Sequence, residues 1–336
     1  MSAIPRIVMT CTPLRLSFAG GGTDFEAFYA QEDGAVLSTT IDKFVYVTVK
    51  RHGELFQENY RLNYYDTEHA QTLGEIRNDI ARECLRLLPV EPPIFISTVS
   101  DLPSSSGLGS SGAFAVGLLH ALHALRGDRV SLAQLAEEAC YVEIDALQRP
   151  IGKQDQYAAA FGGLNHMTFR GDGRVVIEPQ RLNVDNVSRI FENIMLFWTR
   201  TTRASHEILA DQRAATPAKM ANLRAMKGHC DELRVALGRN GVFDPALFGQ
   251  ILDATWRAKK DITSSISNTS IDDWYERALE AGAAGGKISG AGGGGFLLLV
   301  VPGERQADVR RALAELMEVR VNYEATGTRL LIPMGH

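Results

Sequence analysis

Long apolar runs are absent from this 336-residue sequence. The longest, Phe296–Pro302, falls far short of the ~20 residues that a membrane helix needs. The first ten residues hold Pro5 and Arg6 without a long apolar core, so they do not read as a secretory leader. Cysteine is scarce. The four present, Cys11, Cys84, Cys140 and Cys230, lie far apart and form no C-x-x-C pair, which removes a disulfide framework and the usual zinc spacings. Charge of one sign is not in excess either: 35 Lys and Arg stand against 40 Asp and Glu, intermixed along the chain. A net charge of −5 gives no electrostatic reason to expect nucleic acid or an anionic membrane surface as partner. The expectation is a cytoplasmic protein with reduced thiols. Assembly is left open, and a homodimer is compatible with this composition.

What is present is length and apolar residues enough for two lobes with a real core. In the first half, Arg6–Cys11 and Leu14–Ala19 read as short strands, and 24–31 as a helix. Ala35–Ile41 and Phe44–Lys50 read as a strand pair around an Asp42-Lys43 turn. Glu75–Leu88 has helical periodicity and stops at Pro89. Ala113–Leu125 is a helix closed by Gly127, and Leu132–Leu147 another opened by Ser131. Ile94–Thr98, Leu164–Phe169 and Arg174–Ile177 are further strands. In the second half Ile194–Thr199 precedes a mostly helical stretch, 205–279, broken near 238–245. Phe296–Val301 reads as a buried strand, Gln306–Leu316 as a helix, and Val319–Tyr323 and Arg329–Ile332 as closing strands. This pattern predicts an α+β fold with lobes over 1–180 and 181–336.

Three glycine clusters stand out, each at a strand end. The segment 102–112, Leu-Pro-Ser-Ser-Ser-Gly-Leu-Gly-Ser-Ser-Gly, lies between a strand and a helix. There the free N–H groups and positive dipole end of a helix can hold an anion, with serine hydroxyls adding donors or a metal ligand. A turn that merely caps the helix has the same composition. The segment lacks the lysine of a Walker A loop. Gly20-Gly21-Gly22-Thr23-Asp24 and Lys287-Ile288-Ser289-Gly290-Ala291-Gly292-Gly293-Gly294-Gly295 are the other two. Glycines wedged against a buried strand point to a backbone brought close to a ligand or another segment.

Together these segments resemble the three motifs of the GHMP kinases (galacto-, homoserine, mevalonate and phosphomevalonate kinases), in the family's order. Residues 12–25 are similar to the N-terminal motif, 102–112 to the central P-x-x-x-G-L-G-S-S motif and 287–295 to the third. The first motif, with 34–36, 39–43 and 61–69, looks most like the D-glycero-α-D-manno-heptose 7-phosphate kinases of that family. The resemblance implies a two-lobed α+β fold, with a ribosomal-protein-S5-like N-terminal lobe and a ferredoxin-like C-terminal lobe. It implies a sugar 1-kinase using ATP and Mg²⁺ on a sugar phosphate, on the way to GDP-heptose for surface polysaccharide. A kinase for an unphosphorylated sugar, fucokinase-like, and a catalytically silent sugar-binding regulator are the competing readings.

The resemblance also assigns roles. Asp155 matches the catalytic aspartate, and Arg15 the basic residue beside the transferred phosphoryl. Pro103, Ser104, Ser105, Ser106, Gly107, Leu108, Gly109, Ser110, Ser111 and Gly112 would hold the nucleotide phosphates. Ser111 and Glu143 would ligate Mg²⁺, whose taste for few protein oxygens suits so sparse a pair. Gly21, Gly22, Thr23 and Asp24 would face the sugar, with Gly290, Gly292 and Gly293 from the third motif. The acidic and histidine residues that galactokinases carry in the first motif are replaced here by Gly21 and Gly22, which argues against galactose. For a phosphate on the acceptor, Arg149, Lys153, Arg200 and Arg203 are candidates, with Lys153 and above all Arg203 preferred. By default each is a surface charge. His120 and His123 share a helix face without a third ligand, and Trp256 and Trp274 read as core or interface.

Overall fold

The computed structural model describes residues 6–53, 55–201, 205–237 and 242–334. Arg203 therefore lies outside the described residues. Twelve strands run through them: β1 (Ile7–Ala19), β2 (Gly34–Arg51), β3 (Tyr60–Asn63), β4 (Thr67–Ala70), β5 (Ile94–Ser100), β6 (Leu164–Phe169), β7 (Val175–Pro179), β8 (Ile194–Trp198), β9 (Gly285–Ile288), β10 (Phe296–Val300), β11 (Met317–Glu318) and β12 (Arg329–Met334). One sheet has the order β12-β1-β2-β5-β3-β4, with β6 also pairing β2 and β7 beside it. The other runs β11-β8-β10-β9. The final strand thus returns to the first sheet, where it pairs antiparallel with β1.

The strands β1 and β2 are longer than alternation suggested. No hairpin turns at Asp42-Lys43; β2 runs through it as one strand, and β1 likewise joins the two short strands expected there. Phe44 pairs with Pro13 and Ile41 with Leu14, so Asp42 and Lys43 are the extra residues of a bulge. Their polarity is used by a distant segment, since Asp42 accepts hydrogen bonds from the Asn322 main-chain and side-chain amides, both at 2.8 Å. No strand forms over 319–323; the two-residue β11 precedes it, and Tyr323 makes a single bridge to Ile41. The helix expected to begin at Glu75 begins at Asp79, where the Asn78 side chain caps it.

Ser110–Arg126 is the central helix, flanked by Gly109 and Gly127 in left-handed conformations and packed on β1 and β2. Its Ala, Gly and Leu residues are buried almost all round, which is why it reads as weakly amphipathic. Leu132–Cys140 follows, then one widened turn over Tyr141–Ala146, in which the Leu147 N–H reaches Val142 O (3.1 Å). The helix expected over Leu132–Leu147 is thus formed, α-helical to Cys140 and widened through Ala146. A single core joins the first sheet to Leu233, Phe248, Leu252, Phe296 and Leu298 of the second half, and Trp256 anchors a second cluster with Phe197 and Leu299. Trp274 packs against the same cluster, half-buried, while its Nε1 donates to Glu315. Among the described residues no helix is long and apolar enough to cross a membrane.

His120 and His123 serve the packing of this helix. His120 contacts Thr328 Oγ1 (3.2 Å), and burial pulls its pKa down to about 4. His123 bridges Glu138 (Nε2 to Oε2, 2.8 Å) and Asp128 (Nδ1 to Oδ2, 3.2 Å), and chiefly the Glu138 hydrogen bond raises its pKa above 6.5. A folded pKa above the unfolded one stabilises fully below about 6.5, and that stability is lost as pH rises through the folded value. The same pairing lowers the Glu138 pKa, so its contribution is present above about 4.5 and falls away in acid. His123→Asn should therefore lower the melting temperature most between these limits, on the order of 2–4 °C, and least at pH 9. Melting curves at pH 5.5 and 9 check this; an equal loss at both would remove the charge from the account.

Candidate active site

A cavity of about 900 Å³ opens between the sheets and receives residues from all three glycine-rich segments. At its centre is Arg15, carried by β1 and nearly inaccessible. Its main-chain N–H donates to Leu108 O (3.0 Å), which ties the strand to the serine- and glycine-rich loop. The guanidinium continues the tie: Nη1 donates to Gly107 O (2.7 Å), while Nε and Nη2 both reach Asp155 Oδ1 at 2.8 Å. Asp155 sits in the first turn of the helix Gln154–Phe161, favourable with the positive end of its dipole, and faces the cavity.

On one side of this pair lies the loop. Gly109 takes a left-handed conformation directly before the central helix, and no side chain caps that helix, so its first amides are free to meet an anion. Ser104, Ser105, Gly107, Gly109, Ser110 and Ser111 line the cavity. Pro103 is exposed beside them, whereas Ser106 and Leu108 are buried and Gly112 packs on Asp155. Loop and third motif touch backbone to backbone. A Cβ on Gly107 would meet Ser289 O at 2.4 Å, and one on Gly290 would meet the Gly107 Cα at 2.5 Å, so both positions demand glycine.

Glu143, on the widened turn, is fully buried behind Ser111. Its carboxyl accepts from Arg149 Nη1 (2.9 Å) and Gln156 Nε2 (2.8 Å) and is hydrogen-bonded to Ser111. Burial raises its pKa, against the pull of Arg149, Gln156 and Ser111. The structure thus brings the two expected metal ligands together, and their hard oxygens fit a small divalent cation that takes its other ligands from phosphates and water. The widened turn supplies the inward aim of Glu143, a placement that helical periodicity could not show.

On the other side of Arg15 lies the end where the acceptor is expected. Asp24 is buried there, accepting from Gly22 N (2.8 Å), Gln154 N (3.2 Å) and Gln154 Nε2 (3.0 Å), and burial raises its pKa. Gly21, Gly22 and Gly290 also face this space. Four other expected contacts are placed elsewhere. The Thr23 hydroxyl is spent on Gly20 O and Ala35 within the fold. Gly292 and Gly293 pack against Ile266 O. Lys153 turns away from the cavity, donating to Gly173 O (2.9 Å) and lying over the Tyr29 ring. Arg149 lines the cavity but is already engaged by Glu143 and by both oxygens of Asp79. Residues that the sequence reading did not single out also line the cavity: Ser17, Gln154, Leu209, Gln212, Met226 and Lys259, beside Lys287 of the third motif. They sit singly in strand or helix patterns, and only the packing of the two lobes gathers them.

Matches to known proteins agree with this geometry. The family model described as GHMP kinases N terminal domain matches residues 75–163, and that described as GHMP kinases C terminal matches 233–319. The chain belongs to the GHMP kinases: it has their two-domain fold and is a sugar kinase of that type, with ATP as co-substrate. It is 32% identical over 319 residues to the D-glycero-alpha-D-manno-heptose 7-phosphate kinase of Campylobacter jejuni, covering 92% of this chain and 93% of that one. A crystal structure described as a D-glycero-D-manno-heptose 1-phosphate kinase from Bacteroides thetaiotaomicron superposes with a TM-score of 0.79 at 25% identity, over 98% of this chain and 100% of that one. The bifunctional fucokinase/GDP-fucose pyrophosphorylase of Arabidopsis thaliana is 23% identical over 94% of this chain and 32% of its own length.

Proposed function

We propose that this kinase transfers the γ-phosphoryl of ATP to the anomeric hydroxyl of D-glycero-α-D-manno-heptose 7-phosphate, giving the 1,7-bisphosphate and ADP. Its place would be in making GDP-heptose for surface polysaccharide in the cytoplasm. The observation that carries this reading is the Arg15–Asp155 pair, set between a phosphate-binding loop and a pocket floored by a buried carboxyl. Asp155 takes the proton of the attacking hydroxyl as its oxygen bonds to phosphorus. An anomeric hydroxyl is more acidic than an ordinary alcohol, so a carboxylate suffices as base. Arg15 lies where it can offset the charge that gathers on the phosphoryl oxygens. Asp24, with acceptor capacity left after its three amide partners, orients the sugar hydroxyls.

Ser111 and Glu143 would hold Mg²⁺, which when bound neutralises charge on the nucleotide phosphates. Ser111→Ala and Glu143→Gln should each raise the Mg²⁺ concentration for half-maximal rate by about tenfold or more. Unchanged titrations for both variants would move the ion elsewhere.

The two heptose-kinase relatives carry names that differ in the phosphate they cite. A transfer assay over heptose, heptose 7-phosphate, heptose 1-phosphate and fucose, with the product's new phosphorus assigned by ³¹P–¹H correlation, tests the proposal. It expects coupling to the anomeric proton and efficient turnover only with the 7-phosphate. Equal efficiency on an unphosphorylated sugar overturns it and leaves a fucokinase-like enzyme.

A further inference from the structure

The acceptor end of the cavity contains a cation that the transfer chemistry above does not use. Lys259 lies in the last turn of the helix Pro245–Lys260 and is 3% exposed, yet it lines the cavity. Its ammonium donates to the Gly290 carbonyl, and among the described residues it has no carboxylate within ion-pair distance. The next residue behaves differently: Lys260 turns outward and pairs with Asp272 at 2.9 Å. A charge removed from water normally finds a counter-ion. Here the open direction is the cavity itself.

Other unused polar groups line the same cavity. Gln212 is 2% exposed, and its Nε2 has no hydrogen-bond partner; neither has the Ser17 hydroxyl, also buried. Both are cavity residues. Gln212 lies against Gly22, beside Asp24 on the sugar's side of Arg15, where a Cβ on Gly22 would meet its Nε2 at 2.3 Å. Buried donors without partners are rare in folded proteins and call for a ligand. A lysine, an amide N–H₂ and a hydroxyl form a donor set for an anion with several oxygens.

We propose that Lys259, with Gln212 and Ser17, binds the phosphate that the acceptor already carries, the role that sequence reasoning gave to Lys153 and Arg203. This rests on the reading of the acceptor as a sugar phosphate. Lys153 is turned away and Arg149 is engaged, so among the described residues Lys259 is the better placed cation for that group. Lys287, the neighbouring buried lysine, is committed to the Ser17 and Phe18 carbonyls (2.8 and 3.2 Å) and braces the third motif against β1. Burial, with Arg15 nearby, pulls the Lys259 pKa down to about 8 against the weaker opposing pull of Asp24. An arriving phosphate dianion favours its charged form again, so binding and protonation reinforce each other.

The test is calorimetric titration of the full chain, without nucleotide, with heptose 7-phosphate and with free heptose. Wild type should prefer the ester. Lys259→Met should weaken ester binding by about 10- to 100-fold, the size of one charge-assisted hydrogen bond, and weaken binding of free heptose far less. Lys259→Arg should recover part. Gln212→Leu, which removes a donor without leaving a charge, should show the same selectivity with a smaller loss, and it serves if the lysine variant folds poorly. Ester binding at wild-type affinity in both Lys259→Met and Gln212→Leu overturns the inference alone. So does an equal loss for both ligands, which would place Lys259 elsewhere in the acceptor site. A wild type without preference for the ester sinks the sugar-phosphate reading itself, and the inference with it.

Discussion

Asp155→Asn is expected to lower kcat by about two to four orders of magnitude, the usual range for losing a general base, while ATP affinity stays near wild type. The substitution is nearly isosteric. An asparagine Oδ1 can still accept from Arg15 Nε, as Asp155 Oδ1 does at 2.8 Å, so the loop-to-strand tie through Gly107 O should survive. What is lost is the proton acceptor and one negative charge. Steady-state rates with a nucleotide-binding measurement on the same sample check this, and turnover within about threefold of wild type in a folded variant would take Asp155 out of the chemistry.

Arg15→Met should lower kcat by about 10²- to 10³-fold, as removal of one preorganised electrostatic donor does elsewhere. The effect should differ in kind from that of Asp155→Asn. Met fills the volume but leaves Gly107 O without its side-chain donor and Asp155 without its cation, so the phosphate loop loosens and the KM for ATP rises as well. Arg15→Lys should recover only part, because a point charge cannot reach Gly107 O and Asp155 together as the planar fork does. The double variant Arg15→Met/Asp155→Asn should fall little below the worse single one, since the two side chains act as a bonded unit. Multiplicative losses would mean that they act separately.

Much of the proposed site is legible in the order of residues because phosphate binding of the kind proposed is done by backbone. Loops that curl amides around an anion need glycine at fixed spacing, so Gly107, Gly109 and Gly290 leave a readable signature, and Arg15, Ser111 and Asp155 stand at set distances from it. Long polar side chains leave no such trace. Lys153 looked like a phosphate ligand because it precedes Asp155, yet the residue before a helix can face either way, and here Gly173 O takes its ammonium. Lys259 and Gln212 carried no signal, being single polar residues in helices otherwise read for their apolar faces.

The sequence by itself determined the α+β class, the positions of the three glycine-rich segments and the chemistry they imply, because these depend on local backbone freedom and on periodicity. Only the tertiary structure decided that β2 passes straight through Asp42-Lys43, where Asn322 supplies the amides that a turn would have left to water. It alone decided that Glu143 turns inward to Ser111, and that a lysine from a distant helix is buried at the acceptor end. In each case the deciding partner lies more than a hundred residues away or on another element, and the strength of a buried polar contact depends on who that partner is.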